Sequence, residues 1–343
     1  MVTMLDVARR AGVTKQTVSN VVRGRQVVSA ETRAKVEAAI AELGYTPNMV
    51  ARGLATGTTM TVGFIVPTIA HAFYSEVVEE VEALLEESGY HLLLATTRGD
   101  GDRARRQLAS LSSRSVDALL VAGDFELGEY VDALKKKGIP VALCAWEIDP
   151  PESLPVITTD FEEAGYLAGR HLRELGHEKV AVFADLPAHR IRLEGMRRAF
   201  AEDDLSVPSD RVFYVRGASP EVGYQAVEHA LPLLRSSGLP TAVITSTDAI
   251  ALGVMQALRD HGVRIPQDIS VVGIDDIPQA THSHPPLTTV ALPKRRMARE
   301  ATALLLRAIA GEPQSADASI LLSPDVVVRA SSAPADAAFA PED

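Results

Sequence analysis

At 343 residues, 46% hydrophobic and 23% charged, the chain is too long for one small domain and apolar enough for two or three globular cores. No apolar run approaches the ~18 residues of a membrane helix, and Asp6, Arg9 and Arg10 interrupt any secretory h-region, so a membrane or exported protein is excluded and a cytoplasmic one expected. The net charge of −11 is uneven: residues 1–58 hold eight Lys/Arg against four Asp/Glu, the remainder 26 against 41, a basic head on an acidic body in which the head meets a polyanion.

The elements of the head come first. "TMLD" places the Thr3 hydroxyl three residues before an acid, a capping box that opens a helix with Leu5, Val7, Ala8 and Ala11 on its buried side. Gly12 ends it in a left-handed turn, and Thr14 caps the next helix, "KQTVSNVV", with Val18, Val21 and Val22 inward. Two helices joined by a short Gly-containing turn form a helix-turn-helix. Ser29 caps a third, whose Val36, Ala39, Ile40 and Leu43 recur at helical spacing. Three amphipathic helices also describe a plain bundle. Lys15, Gln16 and Asn20 on the exposed side of the second helix favour DNA, because these types hydrogen-bond base edges and phosphates. Arg23 and Arg25 flank that helix as backbone contacts.

"YTPNMVARGLATG" follows, Tyr45 to Gly57. With "LDVARRAGVTKQTVSNVVRG" and "VSAETRAKVEAAIAELGY", it resembles the head of the lactose-repressor (LacI/GalR) family of bacterial transcription regulators over nearly all of residues 3–56. The resemblance implies that "PNMVARGL" is a hinge helix folding on operator DNA, with Leu54 as the apolar wedge at a central base step. The residues agree: the segment is too short to be stable alone, Gly53 weakens it, and an exposed Leu54 needs a partner such as an unstacked minor-groove step. The resemblance extends the DNA-contacting set to Thr3, Thr14, Thr17, Ser19, Asn48 and Ala51.

From Thr61 short apolar runs alternate with helical stretches: "TVGFIVP", "YHLLLATT", "VDALLVAG" and "IPVALCAW", then "LPVITTD", "KVAVFAD", "RVFYVRG", "TAVITST" and "DISVVGIDD". Such alternation means parallel sheets covered on both faces, and some ten strands favour two lobes over one open sheet. Cys144, in "VALCAW", reads as a buried thiol. The stretches "GRHLRELGHEKVAVF", "VRIPQDISVVGIDD" and "HPPLTTVALP" continue the family resemblance, which implies a periplasmic-binding-protein-like core of two Rossmann-like lobes. The expected organisation is a helix-turn-helix headpiece over 1–46, hinge and linker over 47–59, lobe one over 60–160 plus 288–318, and lobe two over 161–287 plus 319–330. Crossings fall near Asp160, Leu287 and Ser319, and the Ala/Pro-rich 331–343 reads as a disordered tail.

Ligands of open α/β sheets bind beyond the carboxyl ends of strands. That rule selects "PTIAHAFYSE", "AWEID", Asp160, Arg192, Asp248 and Asp275. Carboxylates, an arginine and aromatics converging on a cleft suit a sugar or nucleoside, and equally a purine. By resemblance Arg192 and Asp275 are effector-binding, and Phe73 and Tyr74 cover the ligand. The chain departs from the family in three places. "NPF" becomes "HAF" at His71–Phe73, "ND" becomes Thr247–Asp248, both still expected to bind effector, and an aspartate after the fourth strand becomes Ala145, followed by Trp146. Trp146 stacks on a ligand or packs within a lobe, Arg192 and Asp275 salt-bridge each other when no ligand is held, and Asp276 caps the following turn.

Enzymes are the competing class. No GxGxxG follows the first strand, and neither GxxxxGK[ST] nor GxSxG occurs; His282 and His284 in "HSHPP" read as loop residues, and "GHEKV" is not HExxH. A transport-type sugar-binding protein would lack the basic head. The sequence thus predicts a non-enzymatic, cofactor- and metal-free repressor: a bacterial, cytoplasmic homodimer, at the nucleoid when bound to a near-palindromic double-stranded operator, and controlled by a small-molecule effector. A sugar or sugar derivative is the first expectation for that effector, a nucleoside or purine corepressor the second.

Overall fold

The computed structural model describes residues 2–22, 27–46, 57–113, 116–123, 134, 137–148, 154–186, 188–236 and 240–335. Arg23, Arg25, Asn48, Ala51 and Leu54 lie outside them. The chain divides into two compact units, Met1–Met60 and Thr61–Asp343.

In the first unit, α1 (Met4–Ala11), α2 (Lys15–Val22) and α3 (Ala30–Leu43) surround a core of Val7, Ala8, Val18, Val21, Val36, Ala39 and Tyr45. Local chemistry sets each boundary. The Thr3 hydroxyl accepts from the Asp6 amide while the Asp6 carboxylate accepts from the Thr3 amide at 2.9 Å, so two otherwise orphaned donors are satisfied. Gly12 and Gly44 close α1 and α3 at φ 68° and 61°, a region that costs other residues about 1–2 kcal/mol. Thr14 caps α2 through the Thr17 amide at 3.1 Å. Leu5 is exposed, contrary to the sequence reading: Met4, Val7, Ala8 and Ala11 form the i, i+3, i+4, i+7 stripe against the core, and Leu5 lies about 100° of helical rotation off it.

The second unit holds two six-stranded sheets, ordered β11-β5-β4-β3-β1-β2 and β12-β10-β9-β8-β6-β7. Strands β1 (Thr61–Val66), β2 (His91–Thr96), β3 (Ala118–Gly123), β4 (Val141–Trp146), β5 (Val156–Thr159) and β11 (Ile320–Leu322) form lobe one; β6 (Val180–Asp185), β7 (Val212–Val215), β8 (Ala242–Thr245), β9 (Ser270–Asp275), β10 (Thr288–Ala291) and β12 (Asp325–Val327) form lobe two. All pairs are parallel except β10 with β12. Central β3, β4 and β9 are buried at every position, whereas edge β2 alternates at its start, as expected of sheets covered on both faces.

The chain leaves lobe one at Asp160, between β5 and α6 (Phe161–Glu174). Two other boundaries differ from expectation. The "TTVA" strand stays in lobe two, paired with β9, so the return falls at the prolyl turn before α11 (Lys294–Ile309), which packs on α4 (Ala72–Glu87) and the lobe-one sheet. The run "ILLSPDVV" is split by Pro324: Ile320–Leu322 pairs with β5 and only Asp325–Val327 joins lobe two, since proline cannot continue a ladder. Residues 331–335 of the expected disordered tail are held in place. The buried Ser331 donates its hydroxyl to Val271 O at 2.6 Å, the His177 ring meets Ala333 O at 2.9 Å, and Ala335 N donates to Leu175 O. These hydrogen bonds order the start of a segment whose Ala/Pro-rich composition alone predicts disorder.

Helix α6 crosses α7 (Arg190–Ala201) so closely that a Cβ on Gly165 would lie 1.8 Å from Arg192 O, and one on Gly195 1.8 Å from Glu162 O. Backbone contact of this kind requires glycine and fixes where α7 presents Arg192.

Candidate functional site

The strand ends of both lobes face a cavity of about 440 Å³ lined from lobe one by His71, Phe73, Tyr74, Arg98, Ala145 and Glu147, and from lobe two by Asp185, His189, Arg192, Thr247 and Asp275, among others. Arg192 is its electrostatic centre. It follows β6 on the first turn of α7, 3% exposed, with its guanidinium 4.7 Å from the Phe161 ring centroid. Its Nη1 donates to Ser246 O at 2.7 Å and Asp275 Oδ1 at 3.3 Å, and its Nε to Glu147 Oε2 at 3.1 Å, while Nη2 donates to Glu147 Oε1. Burial opposes this charge, and the carboxylates of Glu147 and Asp275 outweigh it, raising the arginine pKa. The Glu147 pair is bidentate and joins the lobes.

Asp275 ends β9 at φ 132°, followed by Asp276 at φ 54°, strain of order 1–3 kcal/mol per residue that persists only where the surroundings impose it. Here Lys294 Nζ imposes it, donating to Asp275 O at 2.9 Å and Asp276 O at 2.6 Å, and lying 3.1 Å from Glu76 of α4. Two histidines complete the cleft. His189 hydrogen-bonds Ser246 Oγ at 3.0 Å, and burial, then Arg192, pushes its pKa well down. His71 is likewise lowered by burial, against the opposing pull of Asp275. Burial favours the neutral imidazole at both.

Of the eight residues predicted to bind effector, the structure brings Phe73, Tyr74, Arg192, Thr247 and Asp275 to the cavity. Trp146 does not reach it. Its side chain is 3% exposed in the lobe-one core with Ile65, Leu143 and Leu154, and its neighbours Ala145 and Glu147 face the cleft instead. A register shift at Ala122/Gly123 and φ 51° at Ala145 set that direction. Asp160 caps α6, accepting from Glu163 N at 2.9 Å. Asp248 is fully buried behind Thr247: Thr289 Oγ1 donates to its Oδ1 and Ile277 N to its Oδ2 at 3.0 Å. Burial, followed by the Asp275 charge, pushes its pKa up to about 7. Asp276 pairs with Arg329 at 2.6 Å, as well as occupying the turn. The arginine–aspartate contact foreseen at Arg192 and Asp275 is present, supplemented by a glutamate not singled out from the sequence. His71 fell within the selected "PTIAHAFYSE" but was given no contact, and Asp185, the last residue of β6, and His189 just beyond it were missed; placement at a strand end was their signal.

On the head, α2 exposes Lys15 and Gln16 and half-exposes Thr17, Ser19 and Asn20. Gln16 Nε2 donates to Asn20 Oδ1 at 3.3 Å, one helical turn apart, so the two amides share a face. Thr3 and Thr14 lie at the starts of α1 and α2. Among the described residues no helix is long and apolar enough to cross a membrane, and no cluster of His, Cys, Asp and Glu has metal-binding geometry.

A helix-turn-helix unit followed by a two-lobed α/β core with an interlobe cleft defines the class of DNA-binding regulators that carry an effector-binding core. The family model described as "Bacterial regulatory proteins, lacI family" matches residues 3–48, and "Periplasmic binding protein-like domain" matches residues 169–332. The HTH-type transcriptional repressor PurR of Haemophilus influenzae is 34% identical over 338 residues, 96% of this chain and 98% of that one. The Lac repressor dimer bound to operator and the anti-inducer ONPF is similar at TM-score 0.83 and 29% identity, over 97% of this chain and 99% of that chain. The transcriptional regulator CelR–cellobiose complex is similar at TM-score 0.71 and 30% identity, over 96% of this chain and 100% of that chain. The chain belongs to the LacI family and is a DNA-binding transcription repressor with an effector-binding core.

Proposed function

We propose that the protein represses transcription as a homodimer on a near-palindromic operator, under the control of a sugar or sugar derivative held between the lobes. The observation that carries the effector half is the Arg192–Glu147–Asp275 arrangement: buried charge from both lobes, paired within the protein except at Asp275 Oδ2, beside a cavity lined by charged groups and aromatic rings together. A neutral polyhydroxylated ligand adds hydrogen bonds there without a further charge to desolvate. Arg192 and Asp275 grip it, and Phe73, Tyr74 and Thr247 border it. The cleft binds and releases; it performs no chemistry.

On the DNA side, Lys15, Gln16 and Asn20 read base edges in the major groove. Thr3, Thr14, Thr17, Ser19 and Arg23 hold the backbone. Asn48, Ala51 and Leu54 act from the hinge in the minor groove, a role that rests on the family resemblance. Thermal-shift screening of the full chain against neutral sugars, sugar acids, sugar phosphates and purines tests the effector class. A ligand at 100 times its Kd adds about 2.7 kcal/mol of stability. Stabilisation by neutral sugars is the expected result; stabilisation by purines alone would replace the sugar with a base.

A further inference from the structure

His71 occupies the N-cap position of α4 yet makes no capping hydrogen bond. Its ring is 9% exposed, lines the cavity, and has no hydrogen-bond partner at either nitrogen. Opposite it, on the other lobe, Asp275 gives Oδ1 to Arg192 while its Oδ2 is buried and has no hydrogen-bond partner. His71 Nε2 and Asp275 Oδ2 stand 3.7 Å apart, too far for a hydrogen bond between them. Buried polar atoms are nearly always satisfied, and two orphaned ones facing each other across a cleft mark where a ligand group belongs.

We infer that His71 and Asp275 form a clip, one jaw on each lobe, that closes on a single hydroxyl of the effector. This rests on the effector reading above and makes it specific. The carboxylate can only accept, so the inserted group must donate to Asp275 Oδ2. A neutral imidazole beside a carboxylate carries its proton on the nitrogen nearer to it, so the same group must also accept from His71 Nε2–H. Both atoms are shielded from solvent as the lobes stand, so the lobes part to admit the oxygen, which then reaches both from beside the line between them. A hydroxyl donates and accepts through one oxygen; an ether, a carboxylate or a phosphate ester oxygen cannot donate and meets Asp275 with like polarity. The clip is pre-set on the aspartate side, where Lys294 holds the backbone carbonyls of Asp275 and Asp276. His71 is therefore a specificity-determining residue that ties ligand occupancy to the approach of the lobes.

The test uses the full chain and isothermal titration with cellobiose, D-glucose, D-ribose and hypoxanthine, followed by monodeoxy analogues of the tightest-binding saccharide. His71→Phe is expected to weaken that saccharide by roughly tenfold or more. His71→Gln, which keeps an N–H donor at similar reach, should stay within about threefold, and His71→Ala separates the lost donor from added bulk. In a double-mutant cycle, one deoxy position should cost affinity in the wild type and nothing further in His71→Phe and His71→Ala. Wild-type affinity in both of those variants, or independent costs at every deoxy position, overturns the clip while leaving the cleft reading intact. Binding of hypoxanthine but no saccharide overturns the hydroxyl assignment. Binding of none of the four overturns the effector reading and the clip with it.

Discussion

Asp248 shows what one buried side chain does to the balance of the fold. With its pKa near 7 against an ordinary 3.8, the folded chain holds a proton there that the unfolded chain releases between about pH 4 and 7. Its contribution to stability is therefore fully present below the unfolded value and is lost as pH rises through the folded one. Asp248→Asn stays neutral throughout and can still meet Thr289 and Ile277. Its stability relative to wild type should grow by a few kcal/mol from pH 4 to 7 and then level off, measured by urea unfolding at fixed pH values. A pH-independent difference would place the titrating group elsewhere. The same residue marks a limit of sequence reading. "TSTDAI" puts Asp248 just after a strand, where ligands bind, but whether it faces the cleft or Gly273 depends on a long-range contact: a Cβ on Gly273 would stand 2.2 Å from Asp248 Oδ1. Trp146 and Glu147 were exchanged for a similar reason. "VALCAW" is apolar throughout, so no alternation reveals its cleft side, and the backbone turn at Ala145 is invisible in composition.

At the scale of elements, boundaries set by local chemistry were legible, and those set by pairing were not. The capping box at Thr3 and the glycine stops at Gly12 and Gly44 are short-range and could be read directly. The second and third crossings depend on which sheet a strand joins, and "TTVA" or "ILL" could serve either lobe. Helix α7 offers an element-scale test. Gly165→Ala would drive a methyl into Arg192 O, costing about 1–3 kcal/mol or more and displacing the helix that presents Arg192. Denaturation should show the loss, and effector affinity should fall with it. Normal stability and affinity would mean that the α6–α7 contact is more yielding than 1.8 Å allows. On α2, Gln16→Ala should cost about 1–3 kcal/mol at one operator position while sparing random DNA, read by fluorescence anisotropy on both duplexes. Equal losses on both would reassign Gln16 to the backbone.

At the scale of the whole molecule, two lobes were legible because strands and helices alternate too many times for one sheet. The basic head stood out against an acidic body. What remained hidden was the interlobe chemistry, Glu147 to Arg192 and Lys294 to Asp275 and Glu76, because it joins residues from separate turns of the chain. That chemistry makes the cleft a place where a ligand can change how the lobes meet, and linkage requires that ligand and operator influence each other's binding equally. The central claim is that the cleft controls the head. It is tested by measuring the affinity of the full chain for a duplex selected from random sequence, with and without a stabilising sugar, in wild type and Arg192→Ala. The account predicts that the sugar changes wild-type affinity by roughly tenfold, about 1.4 kcal/mol, and that Arg192→Ala binds the same duplex but no longer responds. An undiminished response in Arg192→Ala, or a wild-type affinity that a saturating sugar leaves unchanged, would contradict it.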